Sequence, residues 1–200
     1  MKIILASKSP RRKEILSEAI TDFDILAAEC DESLPLSIHP REGVAVLAER
    51  KGRAVYELIG EKGYDPFNTL IISSDTLVEA DGVALGKPAD EEDAVAMLKT
   101  LSGRAHNVHT GVALRIGDRV VSGTATTAVI FREMTDKEIR DYIATGEPMD
   151  KAGSYGIQGL GGAFVSGYNG DYDTVVGFSM KLFFDLLARL GVDKSELFAR

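Results

Sequence analysis

LVEADGVALG (residues 77–86) and HNVHTGVALRIGDRVVSGTATTAVIF (residues 106–131) each read as an apolar run, a turn pair and a second apolar run. Asp81-Gly82 suits the two-residue turn whose backbone twist matches a pair of twisted strands, and Gly117-Asp118 serves the longer segment in the same way. Alternation places His106, Val108, Thr110, Val112 and Leu114 on one face of a strand. Working outward, Ile3 to Ala6 reads as a short buried strand, after which Ser9 is placed to cap a helix and Pro10 to begin it. Further helices are expected from about Glu42 to Ile59, from an Asp90 cap through Leu101, and from the capping box Thr135-Asp136-Lys137-Glu138 to Gly146. A last helix, about Ser179 to Leu190, buries Leu182, Phe183, Leu186 and Leu187. Thr69 to Ser73 is expected as a buried strand that Asp75 closes. Phe164 to Tyr168, the turn pair Asn169-Gly170 and Tyr172 to Val176 read as a final extended pair. Hairpins outnumber plausible βαβ units, so the fold class is α+β with a mixed sheet rather than a doubly wound parallel one.

The chain has 200 residues, 44% hydrophobic and 27% charged, the profile of a globular protein. No linker or repeat divides it, so one domain over residues 1–200 is expected. No run reaches the roughly 18 apolar residues of a membrane-spanning helix, and Met1 to Leu16 lacks the apolar stretch of a secretory signal, which points to the cytoplasm. Cys30 is the only cysteine; it excludes an internal disulfide or a thiolate metal cluster and reads as a small buried hydrophobe. The net charge of −8 argues against nucleic-acid partners. That charge is uneven. Lys2, Lys8, Arg11, Arg12 and Lys13 lie in the first 13 residues with no acid, leaving 18 cations against 31 acids elsewhere. A small basic focus in an acidic protein suits a compact polyanion better than a long one.

Four constellations could carry chemistry. Ser7-Lys8-Ser9-Pro10-Arg11-Arg12 joins a strand to a helix N-terminus, where free N–H groups, hydroxyls and guanidiniums can cradle phosphate; a solvated basic helix start would look the same. Lys51 falls within the apolar stripe of its helix, with Leu47, Val55 and Leu58, and either snorkels or points into a cleft. Asp75 and Lys87 come to the open end of one hairpin, because a two-residue turn at Asp81-Gly82 sets Thr76 opposite Lys87 and Asp75 opposite Pro88. They form either a catalytic pair or a structural salt bridge. Thr76 adds a hydroxyl beside the carboxylate. Residues 153–162, GSYGIQGLGG, hold five glycines and permit close backbone approach to a ligand, or simply form a loop. Within them Gln158 offers a donor and an acceptor that match N3–H and a neighbouring carbonyl of uracil or thymine.

No Rossmann or Walker A pattern is present, which argues against NAD enzymes and P-loop ATPases. His106 and His109 are three apart in a strand, hence on opposite faces, and His39 lies in a loop, so the histidines make no metal site. A bound metal would be a hard ion held by carboxylates and substrate phosphates, with Asp75 and Glu32 as its protein ligands.

Taken together, ILASKSPRRKEIL from Ile4, Leu47 to Val55 around Lys51, SSDTLV from Ser73, LGKP from Leu85, MLKTLSGRAHNVHTGVAL from Met97 and TGEPMDKAGSYGIQGLGGAFV from Thr145 resemble the Maf family of nucleoside triphosphate pyrophosphatases. The resemblance implies a two-lobed fold like that of inosine triphosphate pyrophosphatases, an active cleft between the lobes, a homodimer, and Mg²⁺ or Mn²⁺ as cofactor. It implies Asp75 as proton acceptor, with Ser7, Arg11, Arg12, Lys51 and Lys87 around the triphosphate. Arg11, Thr76 and Gln158 match the branch acting on dTTP and UTP. The implied reaction is attack by water at the α-phosphorus, releasing diphosphate and a nucleoside monophosphate. Gly52, where alanine usually follows the family's lysine, and Gly177-Phe178-Ser179-Met180, in place of a Gly-Leu-Pro-Leu type sequence, depart from the pattern, the second of them at the entry to the last helix. Two other activities remain open. An aspartyl-phosphate phosphatase would need an acid two residues after Asp75, where Leu77 stands, and a non-catalytic nucleotide-binding regulator of cell division would bind without turnover.

Overall fold

The computed structural model describes residues 1–35 and 37–198. In chain order the elements are β1 (Lys2–Leu5), α1 (Pro10–Ser17), β2 (Asp24–Ile25), α2 (Pro40–Ile59), β3 (Thr69–Ala80), β4 (Val83–Leu85), α3 (Glu91–Leu101), β5 (Ala105–Ile116), β6 (Arg119–Phe131), α4 (Asp136–Ile143), β7 (Val165–Asn169), α5 (Tyr172–Val176), α6 (Met180–Leu190) and α7 (Ser195–Phe198). Short 3-10 turns link α4 to β7. The strands form one mixed sheet in the order β2-β1-β3-β5-β6-β7, with β4 paired to β3. β1 runs parallel to β2 and β3, whereas β3, β5, β6 and β7 pair antiparallel.

Local sequence chemistry sets most boundaries. Ser9 accepts from the Arg12 N–H with Pro10 opening α1, and the Asp90 carboxylate accepts from the Asp93 N–H at the start of α3. Thr135 and Glu138 form the reciprocal capping box of α4. Ser179 accepts from the Leu182 N–H, so the departure at 177–180 still starts α6 cleanly.

Residues alternate across β3, and that alternation builds the core. Ile71 packs with Val55 and Ile59 of α2 on one face. On the other face, Leu70 and Ile72 join Leu16 of α1 and Phe183, Leu186 and Leu187 of α6. Further along that same face, Val78 and Ala80 meet Leu98 and Leu101 of α3 and Ile139 and Ile143 of α4. Burying each such large side chain contributes about 1.5–3 kcal/mol. Between these two apolar clusters, β3 carries the buried polar Ser74 and the half-buried Thr76.

Helix α2 lies unusually close to the sheet because β5 has no side chain at Gly111. A Cβ there would stand 2.1 Å from the Val44 carbonyl oxygen. Gly111 pairs with Asp75 in the ladder, so this contact sets α2 directly over the centre of β3.

The structure corrects several sequence expectations. β3 does not stop before Asp75: it runs unbroken from Thr69 to Ala80, with Asp75 in its interior. The hairpin turns at Asp81-Gly82 as expected, but its ladder ends at Val78 with Leu85, so neither Thr76 with Lys87 nor Asp75 with Pro88 forms a pair. Tyr172–Val176 is a helical turn rather than a strand, because Asp171 caps it through the Asp173 N–H. Leu58 is exposed instead of belonging to the buried stripe of α2, and Cys30 is only half-buried.

Candidate active site

Asp75 is 6% exposed and shares the α2-facing side of β3 with Ser73. Buried polar groups in a strand need partners, and each finds one. Ser73 donates to the Ala48 carbonyl at 2.7 Å, and Ser74, on the other face, donates to the Gly177 carbonyl at 3.0 Å. Asp75 meets the Lys51 ammonium of α2, with Nζ 2.5 Å from Oδ1. The same ammonium lies 3.1 Å from Oε1 of Glu32, which reaches in from the segment after β2. Lys51 therefore points into a cleft rather than snorkelling. Gly52 helps place it, since a Cβ there would stand 2.7 Å from Ser73 Oγ.

Arg12 approaches Asp75 from α1. Its Nε donates to the Gly177 carbonyl at 2.9 Å, and its two terminal nitrogens reach Ser7 Oγ and Thr76 Oγ1 at 3.4 Å each. Burial lowers the pKa of this guanidinium, and the nearby Asp75 carboxylate opposes that effect. Thr76 Oγ1 lies 2.9 Å from Thr110 Oγ1, whose hydroxyl donates to the Thr174 carbonyl. The Cys30 thiol is pushed up by burial, against the pull of Lys51, so it behaves as a quiet neighbour of the site.

These groups open onto a cavity of about 1130 Å³, a little beyond the upper end of the ~300–1,000 Å³ typical of small-ligand sites. Lys8, Arg11, Arg12, Lys51 and Lys87 line it, as do Glu32, Asp75, Thr76 and Gln158. Ser7 stands apart from the lining: its Oγ accepts from the Ser9 N–H at 3.2 Å and supports Arg12. Lys87 and Gln158 are exposed at the rim. Lys87 is located by the neighbouring Gly86, whose carbonyl accepts from the Gly153 N–H at 3.0 Å. Gly153 must be glycine here, with φ +68 and a would-be Cβ 2.8 Å from Val78.

Sequence reasoning missed the groups that shape this rim. Glu147 accepts from the N–H groups of Leu160 and Gly161 and from the Tyr142 hydroxyl. Tyr155, which lines the cavity, shares a 2.9 Å hydrogen bond with His106 and stacks edge-on against Phe131. An acid just ahead of a glycine-rich run was the available signal for Glu147. His106 gave none, because alternation alone reads it as core.

The arrangement can seat a multiply charged anion against cations drawn from α1, α2 and the segment after β4. One buried carboxylate stands at its inner end. Among the described residues no three His, Cys, Asp or Glu side chains converge into a metal cage.

A family model described as "Maf-like protein" matches residues 2–190. The chain is 48% identical over 184 residues to a dTTP/UTP pyrophosphatase of Thermococcus onnurineus, covering 92% of this chain and 95% of that protein. It is 43% identical over 189 residues to a dTTP/UTP pyrophosphatase of Bdellovibrio bacteriovorus, covering 94% and 97%. Among solved structures, the Ham1 protein of Staphylococcus aureus matches with a TM-score of 0.47 at 14% identity, covering 66% of this chain and 72% of that one.

Proposed function

The chain belongs to the Maf family, and from that premise we propose that it hydrolyses dTTP and UTP to the nucleoside monophosphate and diphosphate. The observation that carries this reading is the convergence of Asp75 and Glu32 on Lys51 in a cavity lined also by Arg11, Arg12, Lys87 and Gln158. Relatives named for this activity match the chain over nearly its whole length.

Arg11, Arg12, Lys51 and Lys87 bind the triphosphate and neutralise the charge that moves onto the leaving diphosphate; such positioning and charge neutralisation supply most of the catalysis of phosphoryl transfer. Arg12 is held for this by Gly177, Ser7 and Thr76. Asp75 takes one proton from the attacking water. The water oxygen bonds to the α-phosphorus, and the bond from that phosphorus to the bridging oxygen breaks. The departing diphosphate keeps the electron pair. Contact with the triphosphate draws Lys51 from the carboxylates and frees Asp75 for the water. Gln158 reads the uracil or thymine edge with its amide.

The donors fit a hard divalent cation. Two carboxylates lie within 3.1 Å of one point, and oxygens of this type suit Mg²⁺ or Mn²⁺ completed by phosphate and water. Asp75 and Glu32 would hold that ion, which would supply Lewis-acid polarisation of the phosphate and its bound water. A homodimer in the cytoplasm belongs to the same reading on the strength of the family alone.

Incubation with a panel of nucleoside triphosphates and Mg²⁺ or Mn²⁺, with diphosphate and orthophosphate measured separately, tests the reading. UTP and dTTP are expected to yield diphosphate. Orthophosphate alone would indicate a phosphatase, and binding without turnover a regulator.

A further inference from the structure

We propose that Glu147 is the positioning residue that presents Gln158 to the pyrimidine base; the proposal rests on the reading of the substrate given above. Gln158 stands at the apex of a loop whose two limbs are tied to one carboxylate. On the returning limb, the Leu160 N–H donates to Glu147 Oε2 at 2.9 Å and the Gly161 N–H to Oε1 at 3.1 Å. On the leaving limb, the Gly156 N–H donates to the Tyr142 hydroxyl oxygen at 3.2 Å, and that hydroxyl donates to Glu147 Oε1 at 2.9 Å. Gln158 thus lies two residues from an anchored amide on either side.

The glycines of the loop follow from this arrangement. A Cβ at Gly159 would stand 2.5 Å from both carboxylate oxygens, and one at Gly161 would stand 2.7 Å from the Tyr142 hydroxyl. Their small size lets the backbone close around the carboxylate, with Gln158 exposed at the cavity rim. Burial disfavours the charged carboxyl, yet the Leu160 and Gly161 N–H groups and the Tyr142 hydroxyl hold its pKa below the usual range. An ionised acceptor also makes these hydrogen bonds stronger than a neutral one would.

Glu147→Gln keeps the shape of the side chain but turns one acceptor oxygen into an NH₂ donor that faces a donor. Steady-state kinetics on UTP and ATP should then be read as a cycle with Gln158→Ala. The expected result for Glu147→Gln is a loss of the UTP-over-ATP preference in kcat/KM by about tenfold, carried mainly by KM for UTP, with kcat within about threefold of wild type. The double variant should discriminate no less than Gln158→Ala alone. An unchanged preference, or a double variant that loses the product of the two single effects, overturns the proposal.

Hydrogen exchange of the free protein keeps the two readings separable. Faster exchange at the Leu160 and Gly161 amides in Glu147→Gln supports the tie directly. Unchanged exchange overturns it, whatever the wild type prefers. A wild type with no preference for pyrimidines overturns the substrate reading and the role given to Gln158, even if the exchange result holds.

Discussion

The two walls of the cavity are built differently. Asp75 and Lys51 sit on β3 and α2, where backbone ladders and a close helix-sheet contact fix them. Lys87 and Gln158 sit on segments held by a few hydrogen bonds to Gly86, Tyr142 and Glu147. Groups that must meet a reacting atom gain from rigid elements. Groups that recognise a base are placed on loops, where a single supporting side chain can set or lose their aim. Damage to the first wall should therefore appear in stability and turnover together, and damage to the second in selectivity or local stability.

Apart from a change at Asp75 itself, the largest effect is expected at Gly111. In Gly111→Ala the new methyl meets the Val44 backbone oxygen and carbon at 2.1 and 2.3 Å. Neither atom is the end of a flexible side chain, so α2 must move and carry Lys51 with it. A loss of about 3 kcal/mol in urea-measured stability is expected, with turnover falling in the folded fraction as well. A variant as stable and active as wild type would break the account of the rigid wall.

A pH-dependent effect, smaller than this down to about pH 5, is expected behind the loop-built wall. His106 is 4% exposed, its Nε2 faces the Tyr155 hydroxyl and its Nδ1 has no hydrogen-bond partner among the described residues. Burial, with Arg104 adding to it, lowers its pKa to about 4. Between the ordinary value near 6.5 and that lowered value, the unfolded chain binds a proton that the folded protein refuses. The protein therefore keeps its full stability on this account above about pH 6.5 and loses up to about 3 kcal/mol as pH falls to about 4. In His106→Gln the pH dependence of the unfolding free energy over this window should flatten relative to wild type. Parallel curves would show that His106 does not carry it.

Much of the frame was legible because it is local. Ser9-Pro10, Asp90, Thr135 to Glu138 and Ser179 announce helix starts through side chains that cap their own backbone, and Asp81-Gly82 and Gly117-Asp118 announce turns. The course of β3 was not legible, because Ser73-Ser74-Asp75-Thr76 looks like a polar break. Its polar groups are satisfied by Ala48, Gly177, Lys51 and Thr110, all remote in sequence. Tyr172 to Val176 misled for the opposite reason: β-branched residues after a turn pair suggest a strand, whereas the Asp171 cap closes a short helix. The cavity-lining cations could be read from their motifs, but Glu147 and His106 are bonded to groups remote from their own segments' pattern and left little local trace.

The most direct measurement compares Asp75→Asn with wild type for both nucleotide binding and diphosphate release from UTP. Calorimetry should show UTP bound within about threefold of wild type, while diphosphate release falls by about a thousandfold or more. Release at the wild-type rate by the Asn variant would contradict the assignment of the water's proton to Asp75.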